Sequence, residues 1–449
     1  MGRLFGTDGV RGIANRDLSV ELSTNIGVAL AMVLRERNPG KPTVLVGKDT
    51  RASSDMIEAA LVAGLCAGGA NVVEIGVVPT PAVAYLVTRE EAQAGVMISA
   101  SHNPYHFNGI KVFGPKGFKL SDEEEAEIED IVLDHTPPFV FAAADQIGRV
   151  KQDDRLLHHY VRHLASTVKD DLCGLRVLVD CSNGSASATA RELFGLLGVK
   201  ADIINDTPDG LNVNRHCGST HVEELCDRVT AEGYDLAVAF DGDADRCLAV
   251  DEKGSVVNGD QMIALFAVDM KAKGTLKNNT AVVTIMSNFG FFKFAEQNGI
   301  NTRTTKVGDR YVLEAMLEEG HSIGGEQSGH IIFTDYMTTG DGQLSAIQLL
   351  CALARSKKTL SQLCQVITIM PQVLLNVEAT RDMKAAITES PELAKVMRRC
   401  EDELGDSGRV LLRPSGTEPL IRVMVEGENM VQIETIAHTL ADAITKYLA

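Results

Sequence analysis

A short apolar run, a polar loop containing glycine and an amphipathic helix follow one another several times along this chain of 449 residues. The first instance is the apolar run Thr43–Val46, followed by a helical stretch over Asp55–Ala67. The pattern begins again at Leu175–Val179 and at Thr280–Ile285. Because strands that alternate with helices form parallel or mixed sheets covered by helices, the sequence predicts three similar α/β domains with mixed sheets.

The pattern changes after residue 368. Apolar runs at Val373–Val377, Val410–Leu412 and Ile421–Val425 are followed by an amphipathic helix over Val431–Leu448. Several strands followed by one helix favour a smaller C-terminal α+β domain with an antiparallel sheet. The predicted domains cover residues 1–155, 156–255, 256–368 and 369–449.

Composition narrows the classes of function. Acidic residues outnumber Lys and Arg by 61 to 43, a formal net charge of −18, so we expect neither nucleic acid nor an anionic membrane as a partner. Residues Met1–Asp8 contain no apolar signal core, and no run of about 18 apolar residues follows, so we expect a cytoplasmic protein. The 9 cysteines include no Cys-x-x-Cys pair, which argues against a disulfide framework and a zinc site.

Three aspartates at alternate positions, Asp241, Asp243 and Asp245, directly follow the apolar run Leu236–Phe240. Carboxylates this close repel one another unless a cation holds them together. An EF-hand is excluded, because Arg246 stands where that loop needs glycine and the flanking segments read as strands. The sequence predicts a three-carboxylate magnesium site at the end of a strand, with a solvated acidic turn as the alternative. Arg246 beside the acids suggests that phosphate binds together with the metal.

A serine lies at the end of another apolar run, in the segment Ser99–Pro104. Ser101 is well placed to act as a nucleophile or phosphoryl carrier, although a turn that caps its own backbone is equally consistent with these residues. His102 is expected to support the loop rather than to form a Ser–His pair, because successive side chains point apart. A turn at Asn108-Gly109 could bring Lys111 back beside Ser101.

Four further loops carry groups that suit an anion or a sugar. Two lie in the first domain: Gly6–Gly12, which contains Arg11, and Gly47–Arg51, for which a plain turn between strand and helix is equally consistent. Arg413–Pro419 has the parts of a phosphate cradle, and Gly324–His330 presents polar groups that could bind a polyol. A tight turn without a binding role is the alternative for both.

Together the serine loop, the aspartate loop and the last two of these loops resemble the active-site motifs of the α-D-phosphohexomutases. The motifs occur in that family's order, one in each predicted domain, and the resemblance covers essentially the whole chain. It implies four domains around a central active-site cleft. Phe5–Gly12, Pro208–Asn212, Cys217–His221 and Gly325–His330 are most similar to the bacterial branch that acts on glucosamine phosphates.

The resemblance implies an isomerase with a small phosphosugar as its substrate. Glucosamine 6-phosphate would receive a phosphoryl group from the enzyme, pass through a 1,6-bisphosphate, and leave as glucosamine 1-phosphate, a precursor of UDP-N-acetylglucosamine and the cell wall. The implied cofactors are one Mg²⁺ per active site, phosphorylation of Ser101, and a sugar 1,6-bisphosphate as activator. A homodimer is compatible with the resemblance.

The resemblance also implies roles for individual residues. The implied catalytic residues are Ser101, Lys111, His330, Arg11 and Arg246; the substrate-binding residues are Glu326, Ser328, Arg413, Ser415, Gly416 and Thr417; the metal ligands are Ser101, Asp241, Asp243 and Asp245. Lys111 and His330 are the expected base and acid, and nearby cations are expected to lower the pKa of Lys111. Arg310 is expected either to contact phosphate or to form a salt bridge at a helix start.

Three positions depart from the family's usual pattern: Phe107, Lys48 and Ser54. They bear on the shape of two first-domain loops rather than on the class of reaction. A sister mutase for mannose or glucose phosphates would carry the same motifs. A magnesium-dependent sugar phosphatase would not need the carrier serine and the phosphate cradle, and a sugar-phosphate sensor would be expected to lack Ser101 or one of the aspartates.

Overall fold

In the computed structural model, which describes residues 2–380, 390–414 and 420–448, the chain forms two compact units. The first comprises the chain up to Met286 together with Ile300–Gln365. The second comprises Ser287–Gly299 and the chain from Val366 onward.

The first unit contains fifteen strands among its described residues. They are β1 (Val10–Ile13), β2 (Thr43–Lys48), β3 (Asn71–Val77), β4 (Ala94–Ile98), β5 (Phe107–Phe113), β6 (Val150–Gln152), β7 (Arg176–Asp180), β8 (Lys200–Ile204), β9 (Leu236–Phe240), β10 (Cys247–Asp251), β11 (Val256–Val257), β12 (Thr280–Thr284), β13 (Asn301–Thr305), β14 (Ile323–Gly325) and β15 (Ile331–Phe333). They form three sheets, each with parallel and antiparallel pairs.

The α-helices follow the strands in the predicted alternation. They are α1 (Val20–Arg37), α2 (Ala52–Ala67), α3 (Thr80–Arg89), α4 (Asp122–Asp134), α5 (Leu157–Ser166), α6 (Ala190–Leu196), α7 (Glu223–Glu232), α8 (Gly259–Lys273), α9 (Phe289–Gln297), α10 (Asp309–Glu319), α11 (Gly342–Ser356) and α12 (Leu360–Leu363). All except α9 belong to the first unit. None of the helices in the described part of the chain combines the length and the apolar character of a membrane span.

The first sheet brings several loop ends to one edge. Its strand order is β1-β5-β4-β2-β3-β6, with β2 parallel to β3 and β4, and β5 antiparallel to β4 and β1. The carboxyl ends of parallel strands lie at the same edge of a sheet. The loops that follow β2 and β4, which contain Arg51 and Ser101, therefore start side by side.

The second and third sheets repeat this plan. Their orders are β11-β10-β9-β7-β8 and β13-β12-β14-β15. In the second sheet, β7 is parallel to β8 and β9, and β9 turns directly into antiparallel β10, with Phe240 opposite Cys247. The predicted mixed sheets are confirmed, and the aspartate loop forms the β9–β10 connection.

The second unit contains helix α9, strands β16 (Gln372–Glu378), β17 (Gly408–Pro414) and β18 (Leu420–Gly427), and helices α13 (Pro391–Leu404) and α14 (Met430–Leu448). The sheet is antiparallel in the order β16-β18-β17, as predicted. Asn288, just before α9, donates from Nδ2 to Met370 O at 3.0 Å and to Glu426 Oε1 at 3.1 Å. These bonds place α9 with the C-terminal sheet. The finer four-domain division stays a prediction.

One local expectation is wrong. The segment around Asn108-Gly109 is not a turn but lies within β5, where Gly109 pairs with Arg11 and Lys111 pairs with Met97. This strand pairs with β1 on one side and with β4 on the other, so the chain continues extended through the glycine. Lys111 approaches the serine loop because β5 runs antiparallel beside β4.

Candidate active site

Asp241, Asp243 and Asp245 form a buried group of carboxylates on the β9–β10 connection. One oxygen from each lies within 4.8 Å of the others. Asp243 Oδ1 and Asp245 Oδ1 are buried and make no hydrogen bond with any described residue. Burial and the charges of Asp245 and Asp243 raise the pKa of Asp241 well above its ordinary value. Buried carboxylates with unused oxygens are a donor set that fits a hard divalent cation.

A threonine that the sequence analysis did not select supports this turn. Thr80 Oγ1 donates to Asp243 Oδ2 at 2.6 Å, and Thr80 N donates to Asp243 O at 2.9 Å. Arg246 N donates to Asp241 Oδ1 at 3.2 Å. Thr80 begins α3 between two prolines, a pattern that indicates only a helix start.

Ser101 follows β4 and is buried against the aspartates. Its Oγ donates to Asp241 Oδ2 at 2.5 Å. Its backbone is left-handed, with φ of 52°, which costs a residue other than glycine roughly 1 kcal/mol. The structure therefore brings together the serine and the metal loop that the sequence pattern placed far apart along the chain.

Lys111 reaches the same carboxylates from β5. Its Nζ lies 2.8 Å from Asp243 Oδ2, 3.3 Å from Asp245 Oδ2 and 3.0 Å from Asp8 Oδ2. Burial alone would lower the pKa of Lys111, but these three carboxylates outweigh burial and raise that pKa well above its ordinary value. The expectation of a lowered pKa is wrong, because carboxylates rather than cations dominate the surroundings of Nζ.

Two arginines of the site have unused donors. Arg11 pairs with Asp8, and Arg246 Nε lies 3.8 Å from Asp245 Oδ1. The Nε atoms of both arginines are buried and make no hydrogen bond within the described part of the chain. Unused guanidinium donors are suited to phosphate oxygens.

His102 supports one of these arginines. Its Nδ1 lies 3.1 Å from Arg246 Nη1 and 3.4 Å from Ser101 Oγ. Burial, with the charges of Arg246 and Arg11, lowers the pKa of His102 to about 4. With so low a pKa, His102 is a weak base for Ser101, and its Nδ1 accepts a hydrogen bond from Arg246, in agreement with the expectation that His102 supports the loop.

His330 ends the loop between β14 and β15 and is buried. Gly340 N donates to its Nε2 at 3.2 Å, so Nε2 is the acceptor of the neutral ring, and Nδ1, 3.7 Å from Asp245 Oδ1, carries the proton. Burial alone would lower the pKa of His330, but Asp245 and Asp309 outweigh it and raise that pKa. A Cβ at Gly340 would lie 2.3 Å from Nε2, so only glycine allows this approach.

Glu326 and Ser328 lie in the same loop. Glu326 is half-buried and its Oε1 accepts a hydrogen bond from Gly308 N at 3.1 Å, while Ser328 is exposed. Glu326 N donates to His330 O at 3.0 Å, and Gly329 N donates to Glu326 O at 3.0 Å. These bonds make the predicted sugar loop a tight hairpin.

An ion-pair chain that was not predicted from the sequence lies beside this loop. Lys119 Nζ lies 2.5 Å from Asp8 Oδ1 and 2.6 Å from Asp309 Oδ2. Asp309 Oδ2 in turn lies 3.6 Å from His330 Nε2. A lone lysine and an aspartate at a helix start carry no signal that distinguishes them from surface residues, so only the fold could reveal this connection.

Arg310 and Lys48, for which anion binding was one expectation, bond to other groups of the protein instead. Arg310 Nη2 donates to Leu120 O at 2.6 Å, and its Nη1 lies 3.2 Å from Glu125 Oε2. Lys48 Nζ lies 2.5 Å from Glu58 Oε2. The salt-bridged helix start was the correct alternative for Arg310.

The C-terminal phosphate cradle is only partly described. Arg413 lies on β17 in the second unit and is half-buried. Ser415, Gly416 and Thr417 lie outside the described residues. Their binding role stays a prediction.

Four family models match the chain in succession. They describe the phosphoglucomutase/phosphomannomutase family: alpha/beta/alpha domain I at residues 2–138, domain II at 158–254, domain III at 258–369 and the C-terminal domain at 374–443. A phosphoglucosamine mutase from Acetivibrio thermocellus is 51% identical over 448 residues and is covered completely, as is this chain. A phosphoglucosamine mutase from Clostridium acetobutylicum is 50% identical, with 99% of each chain covered.

Solved structures share the fold. A phosphoglucomutase/phosphomannomutase family protein from Burkholderia thailandensis superposes with a TM-score of 0.83 at 23% identity, covering 99% of this chain and 97% of its own. N-acetylphosphoglucosamine mutase from Aspergillus fumigatus, in complex with GlcNAc-6P and magnesium, has a TM-score of 0.71 at 18% identity, covering 98% and 95%. At these identities the likeness concerns the fold alone.

Proposed function

Because the chain belongs to the phosphoglucomutase/phosphomannomutase family, we propose that it is a phosphoglucosamine mutase, an isomerase that interconverts glucosamine 6-phosphate and glucosamine 1-phosphate. One observation of the geometry carries this proposal. Asp243 Oδ1 and Asp245 Oδ1 have unused acceptor capacity, while the Nε atoms of Arg11 and Arg246 are unused donors in the described structure. A cation suits the first pair of atoms and a phosphate suits the second, as phosphoryl transfer at Ser101 requires.

The metal ligands are proposed to be Asp241, Asp243, Asp245 and the phosphorylated Ser101. The three buried carboxylates are oxygen donors, which Mg²⁺ prefers, and two of their oxygens make no hydrogen bond in the described structure. When bound, one Mg²⁺ would neutralise charge on the transferring phosphoryl group.

Ser101 is proposed to carry the phosphoryl group. The O1 hydroxyl of glucosamine 6-phosphate attacks the phosphorus of phosphoserine, so a new O–P bond forms and the P–Oγ bond breaks. His330, whose pKa Asp245 and Asp309 raise against the effect of burial, accepts the hydroxyl proton, and Lys111, which three carboxylates keep protonated, supplies a proton to Ser101 Oγ. Arg11 and Arg246 bind the phosphoryl oxygens during transfer.

The glucosamine 1,6-bisphosphate formed in this way must turn over in the site, so that its 6-phosphate returns to Ser101. Glu326 and Ser328 are proposed to bind the ring hydroxyls in both orientations. A trace of sugar 1,6-bisphosphate activates enzyme that has lost its phosphoryl group. The residues proposed to hold the non-reacting phosphate are Arg413, Ser415, Gly416 and Thr417.

Initial rates with Mg²⁺ and a trace of sugar 1,6-bisphosphate test this function. We expect the highest kcat/KM for glucosamine 6-phosphate when it is compared with glucose 1-phosphate and mannose 1-phosphate. A neutral hexose phosphate that is turned over best would contradict the substrate and leave the mutase chemistry in place. Release of inorganic phosphate faster than isomerisation would contradict the mutase and indicate a sugar phosphatase.

A further inference from the structure

A single buried arginine holds the backbone of the serine loop. The Arg51 side chain is fully buried at the start of α2. Its Nη1 donates to Pro104 O at 2.6 Å and to Phe107 O at 3.0 Å. Its Nη2 donates to Ser101 O and to Asn103 O, each at 2.8 Å. Four N–H groups of one rigid, planar guanidinium therefore bind four carbonyl groups of the loop that carries Ser101.

Asp49 fixes this guanidinium from the other side. Its Oδ2 accepts hydrogen bonds from Arg51 Nε at 2.7 Å and from Ser99 Oγ at 2.6 Å. Its Oδ1 accepts hydrogen bonds from Arg51 N and from Ser54 Oγ, each at 3.0 Å. All five guanidinium donors of Arg51 are thus used inside the protein. The Gly47–Arg51 loop supports the neighbouring loop and leaves no side-chain donor of Arg51 for an anion.

A second residue reaches the same carbonyl groups from the loop after β8. Asn214 Nδ2 donates to Ser101 O at 2.9 Å and to Asn103 O at 3.1 Å. Gly242 lies against the same oxygen, because a Cβ there would be 2.6 Å from Ser101 O. The carbonyl of Ser101 is therefore bound by one residue next to the first sheet and one next to the second.

These contacts have a consequence for the reaction. Ser101 has a left-handed backbone that costs energy by itself, and in this conformation of the loop its Oγ donates to Asp241. We propose that Arg51 and Asn214 form a carbonyl clamp that keeps Ser101 in the geometry for phosphoryl transfer, so that both are positioning residues. The inference rests on the proposed function, in which Ser101 is the carrier.

Because Arg51 and Asn214 bond backbone carbonyls and Asp49, and not the residues proposed to bind the sugar, loosening the clamp should slow transfer without weakening substrate binding. A misplacement of about 1 Å costs on the order of a hundredfold in rate. We expect Asn214→Ala to lower kcat about tenfold and Arg51→Lys about a hundredfold, each with KM changed by less than about twofold. Lysine keeps the charge opposite Asp49 and so limits the damage to folding.

Two measurements separate positioning from general stability. Hydrogen exchange of residues 101–107 should become faster in both variants, while exchange elsewhere in the first unit stays as in the wild type. Arg155→Lys is the matched control. Arg155 pairs with Asp153 two residues earlier, as Arg51 pairs with Asp49, but its side chain is 82% exposed. Asn212→Ala is the control for Asn214, because Asn212 is half-buried in the same loop and its side chain bonds only Asp209 N and Thr207 O among the described residues.

Unchanged kcat and unchanged exchange of residues 101–107 in Asn214→Ala would overturn the clamp while the proposed function stands. A loss of kcat matched by faster exchange throughout the unit would also overturn it, because that result indicates a structural role only. If Arg51→Lys does not fold, Asn214→Ala alone decides. A wild-type protein that never phosphorylates Ser101 fails at the proposed function itself, and the clamp's positioning role is overturned with it.

Discussion

Two buried charged groups meet at Ser101, and they differ in how far the protein satisfies them. At Asp49 and Arg51, both carboxylate oxygens and all five guanidinium donors have partners within hydrogen-bonding distance. In the aspartate turn, two buried carboxylate oxygens have none among the described residues. All hydrogen-bonding groups of Asp49 and Arg51 are satisfied without a ligand. Those of the aspartate turn are satisfied only when a ligand binds.

This difference distinguishes buried charged residues that hold the backbone in place from those that bind a ligand. A buried charge with every hydrogen bond made holds the surrounding backbone in place, and its removal leaves other groups unpaired. A buried charge with unused acceptors costs stability and is retained where it binds a ligand. Both groups directly follow buried strands in loops rich in polar residues, so they look alike in the sequence.

The largest predicted effect on stability is at Asp49, which forms a fully hydrogen-bonded pair with Arg51. Asp49→Asn leaves the Arg51 guanidinium buried without its counter-charge and should lower the free energy of unfolding by about 3–5 kcal/mol. Urea unfolding followed by circular dichroism measures this change. A loss below about 1 kcal/mol would contradict the claim that this group supports the serine loop.

An Asp-to-Asn substitution in the aspartate turn should change the free energy of unfolding in the opposite direction. Asp241→Asn relieves repulsion from Asp243 and Asp245, which contributes to the raised pKa of Asp241, and should stabilise the metal-free protein by about 1 kcal/mol. Added Mg²⁺ should raise the stability of the wild type only, because ligand binding to the folded state stabilises it. We expect turnover of the variant to fall at least about a hundredfold.

Unfolding curves recorded in EDTA and in excess Mg²⁺ measure the stability of the metal-free and the Mg²⁺-bound protein. If Asp241→Asn were destabilised in EDTA as strongly as Asp49→Asn, the two groups would not differ in the way proposed. A full response to Mg²⁺ in the variant would remove Asp241 from the metal ligands.

Asp341 is an intermediate case, with hydrogen bonds but no paired cation among the described residues. Its Oδ1 accepts a bond from Leu344 N at 2.9 Å and its Oδ2 accepts one from Tyr160 OH at 2.8 Å. Burial raises the pKa of Asp341 to about 7. Because the folded pKa lies above the unfolded value of about 3.9, the folded state binds the proton more tightly, and stability falls as pH rises from about 4 through 7.

Asp341→Asn removes this titration while keeping the acceptor for Leu344 N. Relative to the wild type, the variant should gain about 1–3 kcal/mol of unfolding free energy between pH 5 and pH 8. Denaturant midpoints at the two pH values give this difference, in which other titrating groups cancel. A difference that is constant with pH would show that Asp341 is already ionised at pH 5.

The smallest effect is expected in the first turn of α2, which follows the Gly47–Arg51 loop. Asp55 lies 2.6 Å from Lys48 Nζ, but its side chain is 81% exposed. Asp55→Asn should change the free energy of unfolding by less than about 0.5 kcal/mol, since exposed pairs are screened by water and salt. Urea unfolding at low and high salt checks this, and a loss above about 1 kcal/mol would show that an exposed charge at the start of α2 stabilises the protein without being buried.

The regular pattern of the chain explains how much could be predicted. Alternating strands and helices and the three aspartates after a buried run are local signals, so the mixed sheets and the aspartate turn follow from them. Lys111 was selected for its type, but its route along β5 and its raised pKa depend on neighbours from other strands. The position of α9 with the C-terminal sheet depends on Asn288 and Glu426, which are far apart in the sequence.

The supporting residues could not be predicted for the same reason. Thr80 and Asn214 each act through two hydrogen bonds to a loop more than a hundred residues away, and nothing beside them in the sequence marks that role. Phe107 departs from the family pattern in its side chain, yet Arg51 binds its backbone carbonyl, which any residue supplies. Substitution at such a position leaves the contact in place.

Phosphorylation of Ser101 tests the central claim most directly. Wild type and Ser101→Ala are incubated with sugar 1,6-bisphosphate in Mg²⁺ or in EDTA, and phosphoryl groups are located by peptide mass spectrometry while mutase turnover is followed in parallel. We predict one phosphoryl group on the peptide that contains Ser101, only in the wild type with Mg²⁺, and a loss of turnover of at least about a thousandfold in Ser101→Ala. Turnover without phosphate on Ser101, or an unimpaired Ser101→Ala, would contradict the account.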